Sequence, residues 1–159
     1  MALRVINIAP GTSADGPGLR TSIYFAGCDH RCPGCHNPAS WPFDAGEEKS
    51  VEDLMKVIQY NRFHVTFSGG DPMYQAAELL PLAKAITEMG LKIWCYTGFH
   101  YEQIRDKSPY KELLEYIDVL VDGPYVEALK PIGPALRFRG SSNQRFIRPA
   151  TGEELVFEY

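Results

Sequence analysis

The chain has 159 residues, enough for one domain that buries about 70% of the surface its unfolded form exposes. With 45% hydrophobic, 12% aromatic and 23% charged residues, its composition excludes a disordered or collagen-like chain. A net charge of -4, with Arg137, Arg139, Arg145 and Arg148 diluted by Gly, Ser and Asn, argues against a nucleic-acid partner.

The start, Met1 to Pro10, carries one Arg and only a short apolar stretch. It lacks the apolar run of roughly 7–15 residues that marks a secretion signal. No segment reaches the length of a membrane span, so the expectation is a cytoplasmic chain with no membrane contact.

Four β-rich runs each end in glycine. The first is Ser22 to Gly27, and Cys28, Cys32 and Cys35 follow it directly. Ser50 and Asp53 then resemble a capping box, and Val51, Leu54, Met55 and Ile58 share one helical face, which predicts a helix from Val51 to Tyr60. The second run, His64 to Gly69, leads into Ser68-Gly69-Gly70-Asp71-Pro72. Leu79, Leu80, Leu82, Ala83 and Ile86 give a helix from Ala76 to Met89, with Gly90 placed to end it. The third run, Lys92 to Gly98, holds Cys95 among apolar neighbours, where a buried cysteine acts as a small hydrophobe. A shorter helix is expected over Lys111 to Tyr116, then the fourth run, Ile117 to Gly123. The remainder, Arg137 to Tyr159, reads as polar loop leading to a hairpin across Thr151-Gly152.

Strands alternating with helices predict an α/β fold with a mainly parallel sheet, open or curved into part of a barrel, in one domain spanning 1–159. A full eight-unit barrel needs at least about 200 residues. Ligands of such sheets sit beyond the carboxyl ends of the strands, and the cysteines, Ser68 to Asp71, Thr97-Gly98 and Asp122-Gly123 all follow strand ends.

Cys28-x3-Cys32-x2-Cys35 is the strongest chemical signal, since three thiolates on one short loop can grip a metal centre and leave a coordination position open. Two other readings stay open on spacing. His30 or His36 as a fourth ligand would make a Cys3His zinc module that binds protein, and Cys32-Pro33-Gly34-Cys35 would serve as a redox pair.

Cys-x3-Cys-x2-Cys after an early strand resembles the signature loop of the radical S-adenosylmethionine superfamily. That resemblance implies a partial β/α barrel and a [4Fe-4S] cluster on Cys28, Cys32 and Cys35, whose fourth iron is chelated by S-adenosylmethionine. These cysteines would then be the catalytic and metal-binding residues, and Gly34, Cys35 and His36 would contact the cofactor. Ser68, Gly69, Gly70 and Asp71 resemble the superfamily's glycine-rich motif for the methionine amino group, with Thr97 and Asp122 set to meet ribose hydroxyls.

Further strings are similar to the activating proteins of anaerobic (class III) ribonucleotide reductase. They are Asp15-Gly16-Pro17-Gly18-Leu19-Arg20, Gly27-Cys28, Cys32 to Asn37, Ser68 to Pro72, Val119 to Gly123, and Arg139-Gly140-Ser141-Ser142-Asn143-Gln144. That family usually has an aromatic where this chain has His36, and its short length distinguishes it from pyruvate formate-lyase activators. The resemblance implies abstraction of a glycine α-hydrogen on a reductase partner, with a one-electron donor such as a flavodoxin. Asp15 to Arg20 and Arg137 to Gln144 would form the rim that receives the partner's glycine loop. Another radical enzyme, acting on a different glycyl-radical protein or a small molecule, shares the same cysteine spacing.

Overall fold

The computed structural model describes residues 2–35, 37–130 and 138–156. Its strands are β1 (Ala2–Thr12), β2 (Arg20–Phe25), β3 (Glu47–Ser50), β4 (His64–Gly69), β5 (Ile93–Tyr96), β6 (Val119–Asp122), β7 (Arg145–Arg148) and β8 (Glu153–Leu155). They form one sheet in the order β3-β1-β2-β4-β5-β6-β7-β8. Only the central strands β2, β4, β5 and β6 pair in parallel. The flanking pairs are antiparallel, so the sheet is mixed rather than mainly parallel throughout, and β3 and β8 form its two edges.

The sequence signals missed β1 and β3. Register shifts between Val5 and Asn7 and between Ala9 and Thr12 break the alternation of β1. Strand β3 reads Glu-Glu-Lys-Ser and has no apolar face, and its charges suit an edge. The hairpin at the end is present, as β7 and β8 pair across the turn at Thr151-Gly152.

Four helices accompany the sheet: α1 (Val51–Asn61), α2 (Ala76–Glu88), α3 (Tyr101–Ile104) and α4 (Tyr110–Leu114). The capping box is formed, with Asp53 N donating to Ser50 Oγ at 3.0 Å and Ser50 N donating to Asp53 Oδ2 at 3.2 Å. Helix α2 ends where Gly90 takes the left-handed conformation at φ 79°. Helix α4 begins one residue before the expected short helix, and α3 had no signal of its own because it is a single turn.

Alternation along the parallel strands sorts the sheet into two faces. Ile23 and Phe25, Val65 and Phe67, Ile93 and Cys95, and Leu120 lie in the same buried cluster as Leu54, Ile58, Leu79, Leu82, Ile86 and Leu113 of the helices. Each such side chain contributes about 1.5–3 kcal/mol of burial. Cys95 is fully buried there, and burial pushes its thiol well above the usual range, so it behaves as the expected small hydrophobe. The alternate positions Ser22, Tyr24, Thr66, Ser68, Trp94 and Tyr96 belong to the other face. A cavity opens on it.

Candidate active site at the strand ends

The cavity, of about 320 Å³, lies at the carboxyl ends of the central strands, and Cys28, Cys32 and Cys35 line it together with Ser68, Gly69 and Gly70. The volume suits a nucleoside-sized ligand. Cys28 is buried and Cys32 and Cys35 are half-buried, and all are free thiols. The loop leaves β2 through Gly27 at φ 100°, and backbone hydrogen bonds fasten it, Gly27 N to Ser40 O at 2.7 Å and Cys28 N to Trp41 O at 3.1 Å. Burial pushes the Cys28 thiol up to about 11, so binding iron there must displace a proton.

The glycines of the Ser68 to Asp71 segment are required by packing as well as by any ligand. A Cβ on Gly69, which sits at φ 104°, would lie 2.3 Å from Phe25 N, and one on Gly70 would lie 2.6 Å from Gly27 O. The segment is pressed against the start of the cysteine loop, with Gly70 N donating to Phe25 O and Asp71 N to Gly27 O, both at 2.8 Å. Its bare backbone is therefore presented to the cavity beside the thiols.

Not every expected contact lines the cavity. Gly34 packs against Glu127, whose Oε2 would be 2.5 Å from a Cβ there. Asp71 is 1% exposed and spends its carboxylate on Met73 N, Thr97 Oγ1, Gly98 N and His30 Nε2, so its side chain is not offered to a ligand. Thr97 does line the cavity, although its hydroxyl donates to Asp71 and accepts from Phe99 N. His36 lies outside the described residues, as does Arg137 of the expected rim.

Asp122 corrects the ribose-contact expectation. It has the parity of Leu120 and so faces the helix side, fully buried, where it accepts from Tyr101 N at 2.8 Å. Arg145 binds both its oxygens, at 3.1 Å and 2.6 Å, and also reaches Glu102 Oε2 at 2.7 Å. Gly123, one residue later, is the member of this pair that lines the cavity.

The same network sets a pH response. The Arg145 hydrogen bond holds the Glu102 carboxyl down to about 2, below its ordinary value near 4.3. A lowered folded-state value means the contribution is present above the ordinary value and fades as pH falls towards the lowered one. Glu102→Gln is expected to be less stable than the parent at neutral pH by under about 1 kcal/mol, because Glu102 is half exposed. The gap should close between about pH 4.5 and 2 in acid-unfolding curves.

Asp15, expected at the partner rim, lines the cavity, and Tyr24, which the sequence reading did not single out, lines it too. The Tyr24 hydroxyl donates to Asp15 Oδ2, and burial, reinforced by that carboxylate, raises the phenol to about 12. Behind them Arg20 is 3% exposed, donating to Thr66 Oγ1 at 2.8 Å and Val65 O at 3.0 Å with its guanidinium over Trp94. Thr66 Oγ1 donates on to Asp15 O at 2.9 Å, so Arg20 anchors the segment rather than forming a rim. The readable signal was the run of Ser, Thr and Tyr at every second position of strands that should be apolar on both faces.

Comparison with known proteins agrees with this geometry. A family model described as a 4Fe-4S single cluster domain matches residues 14–147. An anaerobic ribonucleoside-triphosphate reductase-activating protein of Salmonella typhimurium is 35% identical over 145 residues, covering 85% of this chain and 92% of that protein. This chain belongs to that activating-protein family. A Vibrio cholerae member is 38% identical over 141 residues, covering 82% of this chain and 88% of its own. One from Enterobacteria phage T4 is 33% identical, with coverage of 87% and 89%. The solved structure of QueE from Escherichia coli covers 61% of this chain and 52% of its own, at 21% identity and a TM-score of 0.47, too distant to bear on function.

The residues present fit the family's iron-sulfur cluster. Thiolates are the usual ligands of such clusters. Among the described residues no group of three or more His, Cys, Asp or Glu side chains is gathered to hold one ion, whereas a cluster needs only that each thiol meet its own iron. His30 Nε2 is bonded to Asp71, which leaves only Nδ1 of that ring for the zinc alternative. No helix among the described residues is long and apolar enough to cross a membrane.

Proposed function

We propose that the chain is the radical activase of an anaerobic ribonucleotide reductase, a single 1–159 domain built as a partial β/α barrel of the radical S-adenosylmethionine type. The observation that carries this is the meeting of three thiols and the bare Ser68-Gly69-Gly70 backbone on one cavity wall. When bound, the [4Fe-4S] cluster would supply the single electron for reductive cleavage of S-adenosylmethionine, the chemistry that would drive removal of the α-hydrogen from a reductase glycine.

The chain's own residues do the rest. Cys28, Cys32 and Cys35 would hold the cluster, with Ser68, Gly69 and Gly70 beside the methionine portion of the cofactor. Thr97 and Gly123 lie further along the same strand ends, near where the nucleoside portion would extend. Tyr24, Tyr96 and Tyr125 give the cavity aromatic lining beside the thiols. A flavodoxin-type protein is the proposed electron donor, the cytoplasm the proposed compartment, and neither nucleic acid nor membrane has a part.

The proposed partner rim includes Arg139 to Gln144, which borders the cavity through Gly140 and Gln144. Gln144 organises this strap: its Oε1 accepts from Gly140 N at 2.7 Å and its Nε2 donates to Gly123 O at 3.0 Å. Arg139 donates to Gln144 O at 3.1 Å. Anaerobic assays with reductant should give 5'-deoxyadenosine from the parent, and electron spin resonance should show a glycyl radical on added reductase. Arg139→Ala is expected to lower the radical yield while uncoupled 5'-deoxyadenosine release persists; loss of both would reject the rim assignment. A parent that cleaves the cofactor but radicalises only another glycyl-radical protein would favour the rival substrate.

A further inference from the structure

We propose that His30 and Asp71 form a latch that fixes the cysteine loop to the ends of β4 and β5, making His30 a positioning residue for the cluster. The proposal rests on the reading of Cys28, Cys32 and Cys35 as cluster ligands.

His30 stands midway between Cys28 and Cys32, so whatever holds its ring holds the loop. Its Nε2 lies 2.6 Å from Asp71 Oδ2. A carboxylate only accepts, which assigns the hydrogen to the ring nitrogen. Capping the 3-10 turn Pro72–Gln75 uses Asp71 Oδ1 alone, through Met73 N at 3.0 Å. The other oxygen, Oδ2, gathers donors from two separate segments: His30 from the cysteine loop, and Thr97 Oγ1 and Gly98 N, both at 2.9 Å, from the end of β5. Asp71 is 1% exposed and the His30 side chain 16%, so water competes little for these bonds.

Packing supports the same docking. The His30 ring meets Phe99 edge-on with centroids 4.6 Å apart and lies 5.7 Å from Tyr74. A Cβ on Gly98 would sit 2.5 Å from His30 Cδ2, so the ring occupies the space that glycine leaves free. Cys35 follows the latched part of the loop through its N–H to Cys32 O at 3.1 Å. One buried carboxylate thus joins the loop that bears the thiols to the strand end that would hold the cofactor.

The test is cluster retention in the full chain, reconstituted anaerobically with iron and sulfide and then challenged with an iron chelator. Losing a hydrogen-bond partner behind metal ligands typically lowers metal affinity 10–100-fold. His30→Ala should lose iron at least about 10-fold faster than the parent, and His30→Gln, whose amide can still donate to Asp71, should stay within about 3-fold of the parent. Gly98→Ala, which displaces the ring without removing it, should follow His30→Ala. Far-UV circular dichroism should be unchanged in all three. Equal retention by His30→Ala and parent, or loss by His30→Gln as fast as by His30→Ala, would overturn the latch. If His30→Ala takes up no cluster at all, the comparison of parent, His30→Gln and Gly98→Ala decides. A parent that loads no four-iron cluster would instead bring down the ligand reading beneath it.

Discussion

Replacing Cys28, Cys32 or Cys35 singly by alanine is expected to abolish the iron-sulfur absorption after anaerobic reconstitution and to reduce 5'-deoxyadenosine formation to background. Removing one of the three thiols leaves two, and among the described residues no further cysteine lines the cavity. His30 is turned to Asp71 at 2.6 Å, and Cys95 lies on the opposite face of the sheet in the hydrophobic cluster. Cys95→Ala is the matching control. It should keep cluster and activity and cost about 1–2 kcal/mol, from lost burial and a small cavity. Iron and sulfide analysis alongside a denaturant titration checks both halves of the expectation. Loss of the cluster in Cys95→Ala would remove the ligand assignment.

Gly69→Ala should be the most destabilising of the glycine substitutions at the site, by about 3 kcal/mol or more, independent of any cofactor. Two costs coincide there. The backbone is at φ 104°, where an L side chain is strained, and the new Cβ would fall 2.3 Å from Phe25 N and 2.5 Å from Phe25 O. Those atoms belong to the neighbouring parallel strand, whose register fixes Phe25 opposite Gly69, so they cannot retreat without breaking the ladder. Gly90→Ala provides the scale. Gly90 also has positive φ, at 79°, but a Cβ there meets nothing within 4 Å, which leaves only a left-handed penalty of about 1–2 kcal/mol. Urea unfolding of the two variants without cluster separates the contributions. Equal midpoints would mean that the close approach of β4 to β2 carries no energetic weight.

The positions of the central elements were legible because each is a local property. Val51, Leu54, Met55 and Ile58 repeat at helical spacing behind a capping box, and His64 to Gly69 is bounded by its own turn residues. The cysteine loop was legible for the same reason, since its ligands lie within eight residues and need no distant partner. Strands β1 and β3 were not, because a bulged strand and a charged edge are defined by what they pair with rather than by their own pattern.

By itself, the sequence determined the chemistry on offer: three clustered thiols, a glycine-rich strand end and a set of strings that point to one family. Only the tertiary structure decided which side chains are free to use it. Asp71 and Asp122 look alike in the chain, each a carboxylate beside glycine at the end of a strand, and both prove to be buried anchors. Strand parity turns Asp122 towards Arg145 and the helices, and convergence of three segments surrounds Asp71 with donors. A carboxylate's partners depend on which distant backbone and side-chain groups reach it, and those distances are set by sheet order and register, which no local spacing encodes.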